Sequence, residues 1–228
     1  MKNYELDHCW YFTSPGLAWD ACLKESKIKL ELSTDINMLL MIEAGIRGGV
    51  SMIPTRYSNA NNKYMGSKYN PDEESIYIQY LDANNLYGQG MSKPLPVRNF
   101  KWMNEKELEN WERFSDQEGK GCILEVDLEY PKALHDLHND FPLAPERLKT
   151  KNKVDKLILN LNNKTRYVIH HENLKQYLDL GMKVKKIHSG ISFPEKAWMK
   201  SYIDKNTELR VKEGATDFDK DLFKLMNN

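Results

Sequence analysis

The chain has 228 residues, enough for one large domain or two small ones, and its 33 basic and 33 acidic side chains cancel to zero net charge. Hydrophobic residues make up 40% of it, which is ordinary for a globular protein, but no apolar run approaches the roughly 20 residues of a membrane span, and the first residues carry no apolar signal core. Three widely spaced cysteines, Cys9, Cys22 and Cys122, exclude a disulfide framework and any zinc site of Cys-x-x-Cys spacing; a reducing intracellular compartment (nucleus, cytoplasm or mitochondrion) is the expectation.

The charge is unevenly placed. Residues 1–145 hold 15 basic against 22 acidic side chains, and residues 146–228 hold 18 against 11. A basic second half can face a polyanion, although solvated Lys-rich helices would give the same balance.

Along the chain, Ser14-Pro15 predicts a helix start, with Ser as cap and Pro at the first helical position, running to about Lys24. The alternation of Ile28, Leu30 and Leu32 predicts a short strand. Asp35 opens a second helix closed by Gly45, and Val50, Met52 and Pro54 suggest another strand. Residues 58–74 are polar and read as loop. Ser75 to Asp82 alternates cleanly and predicts a strand, followed by a short helix to Met91 that Pro94 and Pro96 end. Glu105 to Phe114 predicts a polar surface helix, and Cys122 to Tyr130 a second clear strand. Residues 131–163 read as irregular. Strands are expected at Thr165–Ile169 and Val184–Phe193, and helices at Glu172–Leu180, Pro194–Lys212 and from Asp217 onward. The mixture is α+β.

Several constellations carry chemistry. Asp82 ends an apolar strand and the chain turns at once through Ala83, Asn84, Asn85, Leu86, Tyr87 and Gly88. Such a carboxylate suits a metal ion; capping the turn would use the same residues. In the last helix Phe218, Leu222, Leu225 and Met226 form an apolar stripe, while Lys220, Lys224 and Asn228 recur four apart on the other face. Arg47-Gly48-Gly49 could approach a phosphate, two glycines letting the main chain come close and Arg47 pairing with it, or simply turn after a helix. Glu125, Asp127 and Glu129 share one strand face and read as a solvent-facing strand edge rather than a metal cluster. His135 and His138, in a Pro-bounded loop, lack a second ligand pair.

Asp82, Leu86 and Tyr87 resemble the first palm motif of family B DNA polymerases, Asp-x-x-Ser-Leu-Tyr-Pro, with Asn85 and Gly88 in place of Ser and Pro. The wording is similar to that of the protein-primed organellar, viral and transposon-borne branch. Lys224-Leu-Met-Asn-Asn228 resembles the opening of the second motif, Lys-x-x-x-Asn-Ser-x-Tyr-Gly, and Ile46-Arg47-Gly48-Gly49 the Tyr-x-Gly-Gly element that touches template backbone.

The resemblance implies a partial, mostly antiparallel palm sheet with flanking helices and a truncated fingers helix. It divides the chain into a connector after an exonuclease module (1–57), a palm segment (58–130), an inserted region with further palm strands (131–193) and the start of the fingers helices (194–228). It also implies two Mg²⁺ ions, with Asp82 and the Ala83 carbonyl as ligands. Tyr87 would lie under the nucleotide sugar and exclude a 2′ hydroxyl, with Leu86 and Asn85 also binding the nucleotide, Arg210 and Lys224 at the phosphates, and Asn228 near the nascent base pair. Arg47, Gly48, Gly49 and Lys205 would touch DNA, Lys205 also standing second to Arg210 for the triphosphate.

The implied partners are template and primer DNA, a deoxynucleoside triphosphate, and a terminal (priming) protein contacting residues 115–170, with no membrane. The second catalytic carboxylate and the exonuclease carboxylates would lie outside these residues, so the chain alone is expected to be inactive. A non-catalytic DNA-binding remnant of a mobile element and an unrelated metal-dependent nuclease using Asp82 are the competing readings.

Overall fold

The computed structural model describes residues 3–227. Thr13, not Ser14, caps α1 (Ser14–Ser26): its hydroxyl accepts from Gly16 N–H at 3.4 Å, and Lys27 ends the helix in the left-handed region. Asp35 opens α2 (Ile36–Gly45) as expected, accepting from Asn37 N–H at 2.8 Å and Met38 N–H at 3.3 Å. Trp102 Nε1 donates to the same carboxylate at 2.9 Å. That indole, and then the helix amides, hold the Asp35 carboxyl below its ordinary value.

The short helix α3 (Leu86–Met91) is followed by β1 (Leu95–Pro96) and β2 (Lys101–Trp102). The expected helix at 105–114 is two pieces, α4 (Glu105–Glu109) and α5 (Trp111–Ser115), broken at Asn110, and Trp111 is buried rather than on the surface. The long strand β3 (Lys120–Glu129) comes next. The region read as irregular contains a hairpin of β4 (Glu146–Lys149) and β5 (Asp155–Ile158). β6 (Lys164–His170), α6 (His171–Asp179), β7 (Lys183–Lys196), α7 (Lys200–Val211) and α8 (Asp217–Met226) complete the order.

The main sheet has the order β1-β7-β3-β6, with β2 also on β7, and all its pairings are antiparallel. Period-two alternation puts Cys122, Leu124, Val126 and Leu128 of β3 on one buried face, under Trp111, Leu174 and Met182. On the other face α2 covers one end through Met38, Met41 and Val168. A third core joins α1, α7 and α8 through Cys22, Tyr202, Ile203, Phe223 and Met226. Cys9, Cys22 and Cys122 are all free thiols, and no helix among the described residues is long and apolar enough to cross a membrane.

Several expected strands are not strands. Residues 28–32 and 50–54 form no ladder, although Glu31 N–H donates to Val97 O at 3.1 Å. The alternating segment 75–82 makes one isolated bridge, Asn61 to Ile76, and its last residues face solvent, Tyr80 at 95% and Leu81 at 84% exposure. Alternation specifies a two-faced extended chain, but a strand also needs a neighbour's amides, and among the described residues none lies alongside.

Pro194 does not start a helix. It lies within β7, where it faces Lys120 and its carbonyl accepts from Val97 N–H at 3.1 Å, so the partnered strand continues to Lys196. Glu125, Asp127 and Glu129 sit on an interior strand, not an edge. Arg166 donates twice to Glu125, both at 3.0 Å; His188 lies 2.9 Å from Asp127, and Lys185 pairs with Glu129. His138 is a buried structural histidine, its Nδ1 2.9 Å from Tyr130 Oη.

Candidate functional site

The turn after residue 82 is built by two departures from the polymerase motif that act together. Asn85 occupies the left-handed region at φ 52°, which Asn tolerates better than most residues, and caps α3 by accepting from Gly88 N–H at 3.0 Å. A side chain on Gly88 would overlap the Asn85 amide. Where the motif has Ser and Pro, this chain has a cap and the small residue that makes room for it. The result leaves Asp82, Ala83, Leu86 and Tyr87 exposed.

On the opposite wall, α7 and α8 are locked together by buried polar groups. Asn206 accepts from Tyr4 Oη at 2.6 Å and donates to Asn227 Oδ1 at 2.9 Å; Tyr202 Oη donates to the Met226 carbonyl at 2.7 Å. Buried polar groups satisfied in this way specify one helix arrangement. The buried stripe of α8 is Leu222, Phe223 and Met226, while Phe218 and Leu225 of the expected stripe are exposed. Packing against α1 and α7 selects a stripe rotated from the one the apolar residues alone suggest.

These two walls enclose a cleft of about 400 Å³ lined by Asp82, Ala83, Asn84, Asn85, Thr207, Arg210, Lys224 and Asn227. Six of the residues named from the sequence, from segments far apart in the chain, therefore meet in one place. Among the described residues no hydrogen bond or ion pair engages the side chains of Asp82, Arg210 or Lys224. A cleft with two unpaired cations and neutral amide and hydroxyl groups can grip a phosphorylated ligand. Thr207 and Asn227 join it without having stood out in the sequence, because helical register alone does not tell which turn of α7 faces α8.

The remaining expected residues lie elsewhere or are engaged. Lys205 forms an ion pair with Glu25 at 2.6 Å and sits 4.7 Å over the Tyr4 ring, and Lys200 pairs with Asp204, so among the described residues Arg210 is the cation of α7 without a partner. The guanidinium of Arg47 stacks 3.8 Å over Tyr167 and donates to the carbonyls of Val168 and Gly45 at 2.7 and 3.1 Å. Gly48 and Gly49 beside it are exposed, Gly49 at φ 77°, with nothing within 4 Å of where a side chain would begin. Asn228 lies outside the described residues.

Asp82 is the one carboxylate lining the cleft among the described residues. A single carboxylate among amides and two cations does not fit two divalent ions, whose sites draw several oxygen ligands each. The residues present match a phosphate-binding wall better than a complete metal centre.

A different cluster escaped the sequence entirely. His170, His171 and Glu195 offer ligand atoms that all lie within 4.8 Å of one another. Burial, and for His170 the adjacent His171, pushes both imidazoles down to about 4; burial also raises the Glu195 carboxyl. The adjacent pair His170-His171 is the only sequence signal, and its partner is 24 residues away.

Comparisons with known proteins bear on the family and the fold. Residues 54–228 match the family described as DNA polymerase type B, organellar and viral. No curated protein sequence matches the chain. The fold is similar to Phi29 DNA polymerase in its ternary complex with primer-template DNA and incoming nucleotide substrates, at TM-score 0.55 and 14% identity over 96% of this chain and 35% of that one. It is also similar to Phi29 DNA polymerase in its binary complex with primer-template DNA, at TM-score 0.54 and 16% identity over 96% of this chain and 34% of that one. The chain thus spans about a third of the length of these structures. With its α+β architecture, its antiparallel sheet and a family match over three quarters of its length, the chain belongs to the organellar and viral type B DNA polymerases.

Proposed function

We propose that this chain supplies the nucleotide-gripping wall of a protein-primed type B DNA polymerase. The observation that carries this reading is the meeting of Asp82 and its turn with Arg210 and Lys224 in one cleft whose charged groups have no partner among the described residues. Arg210 and Lys224 neutralise the β- and γ-phosphates of an incoming deoxynucleoside triphosphate, Arg210 by a two-pronged contact. Tyr87, exposed at the start of α3 with Leu86 and Asn85, lies under the sugar and excludes a 2′ hydroxyl. Polymerases of this type generally use divalent metal ions; Asp82 and the Ala83 carbonyl would contribute to a two-Mg²⁺ centre whose other carboxylates these residues do not provide. The chain by itself therefore binds nucleotide but does not extend a primer. Template contacts fall to Gly48 and Gly49, with Arg47 holding the turn in place. A priming protein meets residues 115–170, where the β4–β5 hairpin presents Arg147, Lys149, Lys151, Lys153 and Lys156 to solvent.

The test is calorimetric titration of the purified chain with dATP at low salt, beside Arg210→Ala and Lys224→Ala. Each charge-assisted contact contributes roughly 1.5–3 kcal/mol, so each variant should bind about tenfold or more weakly with its thermal midpoint unchanged. Equal affinity in all three proteins would sink the proposal. Primer extension by the chain and by Asp82→Asn should be absent in both; extension that Asp82→Asn abolishes would show that a second metal ligand lies within these residues.

A further inference from the structure

The cluster His170, His171 and Glu195 lies at the junction of β6, α6 and the end of β7, on elements other than those that form the nucleotide cleft. We propose that it is a divalent transition-metal site, with Zn²⁺ as its natural occupant and three protein ligands: His170 Nε2, His171 Nε2 and the Glu195 carboxylate.

The geometry is already close to that of a bound state. His170 Nε2 is 3.5 Å from Glu195 Oε2, and His171 Nε2 is 3.7 Å from Glu195 Oε1. Ligand atoms roughly 2.0–2.2 Å from a tetrahedral zinc lie about 3.3–3.5 Å apart, so small side-chain movements close the site. Two imidazoles and a carboxylate suit zinc and exclude magnesium or calcium, which take oxygen.

The site is built rather than incidental. β3 runs between β6 and β7, and Glu195 crosses it only because position 121 is glycine: a side chain there would overlap Glu195 Oε2 and come within 2.6 Å of Phe193. His171 is 1% exposed, yet neither ring nitrogen has a hydrogen-bond partner, and Glu195 Oε2 is likewise buried and unsatisfied. Buried polar atoms left without partners are uncommon, and two of them, His171 Nε2 and Glu195 Oε2, lie where a bound cation would satisfy both. The outer shell is present as well. Glu172 Oε1 lies 3.3 Å from His171 Nδ1, the place of the carboxylate that orients a zinc-bound histidine.

One contact opposes loading. His170 Nδ1 accepts from Glu172 N–H at 3.3 Å, and coordination through Nε2 would put the ring proton there and forfeit it. A single long hydrogen bond is a small loss beside a metal–ligand bond. The fourth coordination position would open to a cleft of about 530 Å³ bounded by residues 93–96, Glu172 and Asn173, leaving room for a water. Metal there would tie the β6–α6 junction to the end of β7.

Untagged, EDTA-stripped chain is titrated with Zn²⁺ against a chromogenic chelator, with melting followed by circular dichroism. Binding of one equivalent and a raised melting midpoint are expected. His170→Gln and Glu195→Gln, whose folding the same spectra report, should each weaken binding by more than about tenfold, the range that loss of even an outer partner produces. His8→Gln, on the surface far along the chain, should bind as the parent does. Co²⁺ in place of Zn²⁺ should give the intense visible bands of a four-coordinate ion. No binding at one equivalent, binding that folded His170→Gln and Glu195→Gln retain in full, or a weak six-coordinate cobalt spectrum would overturn the site.

Discussion

The β7-β3-β6 sheet and the segment 75–82 carry the same alternation of apolar and polar residues, and the molecule treats them in opposite ways. In β3 every second side chain is buried, and the intervening acids Glu125, Asp127 and Glu129 are met by Arg166, His188 and Lys185 from neighbouring strands. In 75–82 the pattern is left in solvent with a single bridge, and the segment ends in an unpaired Asp82. The centre of the sheet pairs its strand-face acids with neighbouring strands; the segment ends in a carboxylate without a partner among the described residues.

The largest test of that contrast is one substitution made twice. Leu124→Ala, in the centre of β3 with no exposure, should lower unfolding stability by about 2–5 kcal/mol, read from urea midpoints. Leu81→Ala should change it by less than about 0.5 kcal/mol. Similar losses at both sites would mean that 75–82 is packed in solution after all.

The acid response of the sheet comes next. Each ring of the His170-His171 pair titrates from its ordinary 6.5 in the unfolded chain to about 4 in the fold, so the unfolded state holds more protons in between. The stability from this pair is intact above pH 6.5 and falls as pH drops toward 4. The fall is on the order of 2–3 kcal/mol per ring, and protonation of the raised Glu195 carboxyl offsets part of it. Urea midpoints in EDTA between pH 7 and 4 should show this slope, and His170→Gln should flatten it.

Asn206→Ala leaves Asn227 and Tyr4 without their buried partner. It should lower stability by about 1–3 kcal/mol and also weaken dATP binding, because the α7–α8 angle that sets Arg210 against Lys224 is lost. Unchanged dATP affinity would show that the two cations do not depend on that network. Asp35→Ala is the smallest, at about 1 kcal/mol for the lost cap, and fluorescence of freed Trp102 should report it.

Local signals were legible where their physics is local. Asp35 caps α2 through the amides of Asn37 and Met38, two and three residues on; the Cys122–Tyr130 alternation needs only a period of two. They failed where a distant partner decides. Pro194 looks like a helix start until β1 and β3 are seen to extend β7 across it, and 75–82 looks like a strand until no neighbour is found. Asp82, Arg210 and Lys224 could be named from motif resemblance, whereas Lys205, equally basic and on the same helix, is engaged by Glu25, which no spacing in α7 reveals.

What this sequence determined by itself is therefore the set of local choices: caps, turns, the central strand, the Asn85–Gly88 turn, and the motif residues that place the chain among type B polymerases. Tertiary structure alone decided which extended segments pair, which cations remain free, that Thr207 and Asn227 complete the cleft, and that Gly121 lets Glu195 reach His170 and His171. The physical reason is range. Hydrogen bonds within a turn depend on residues two to four apart, while ladders, ion pairs and ligand clusters depend on which distant surfaces the hydrophobic cores bring together.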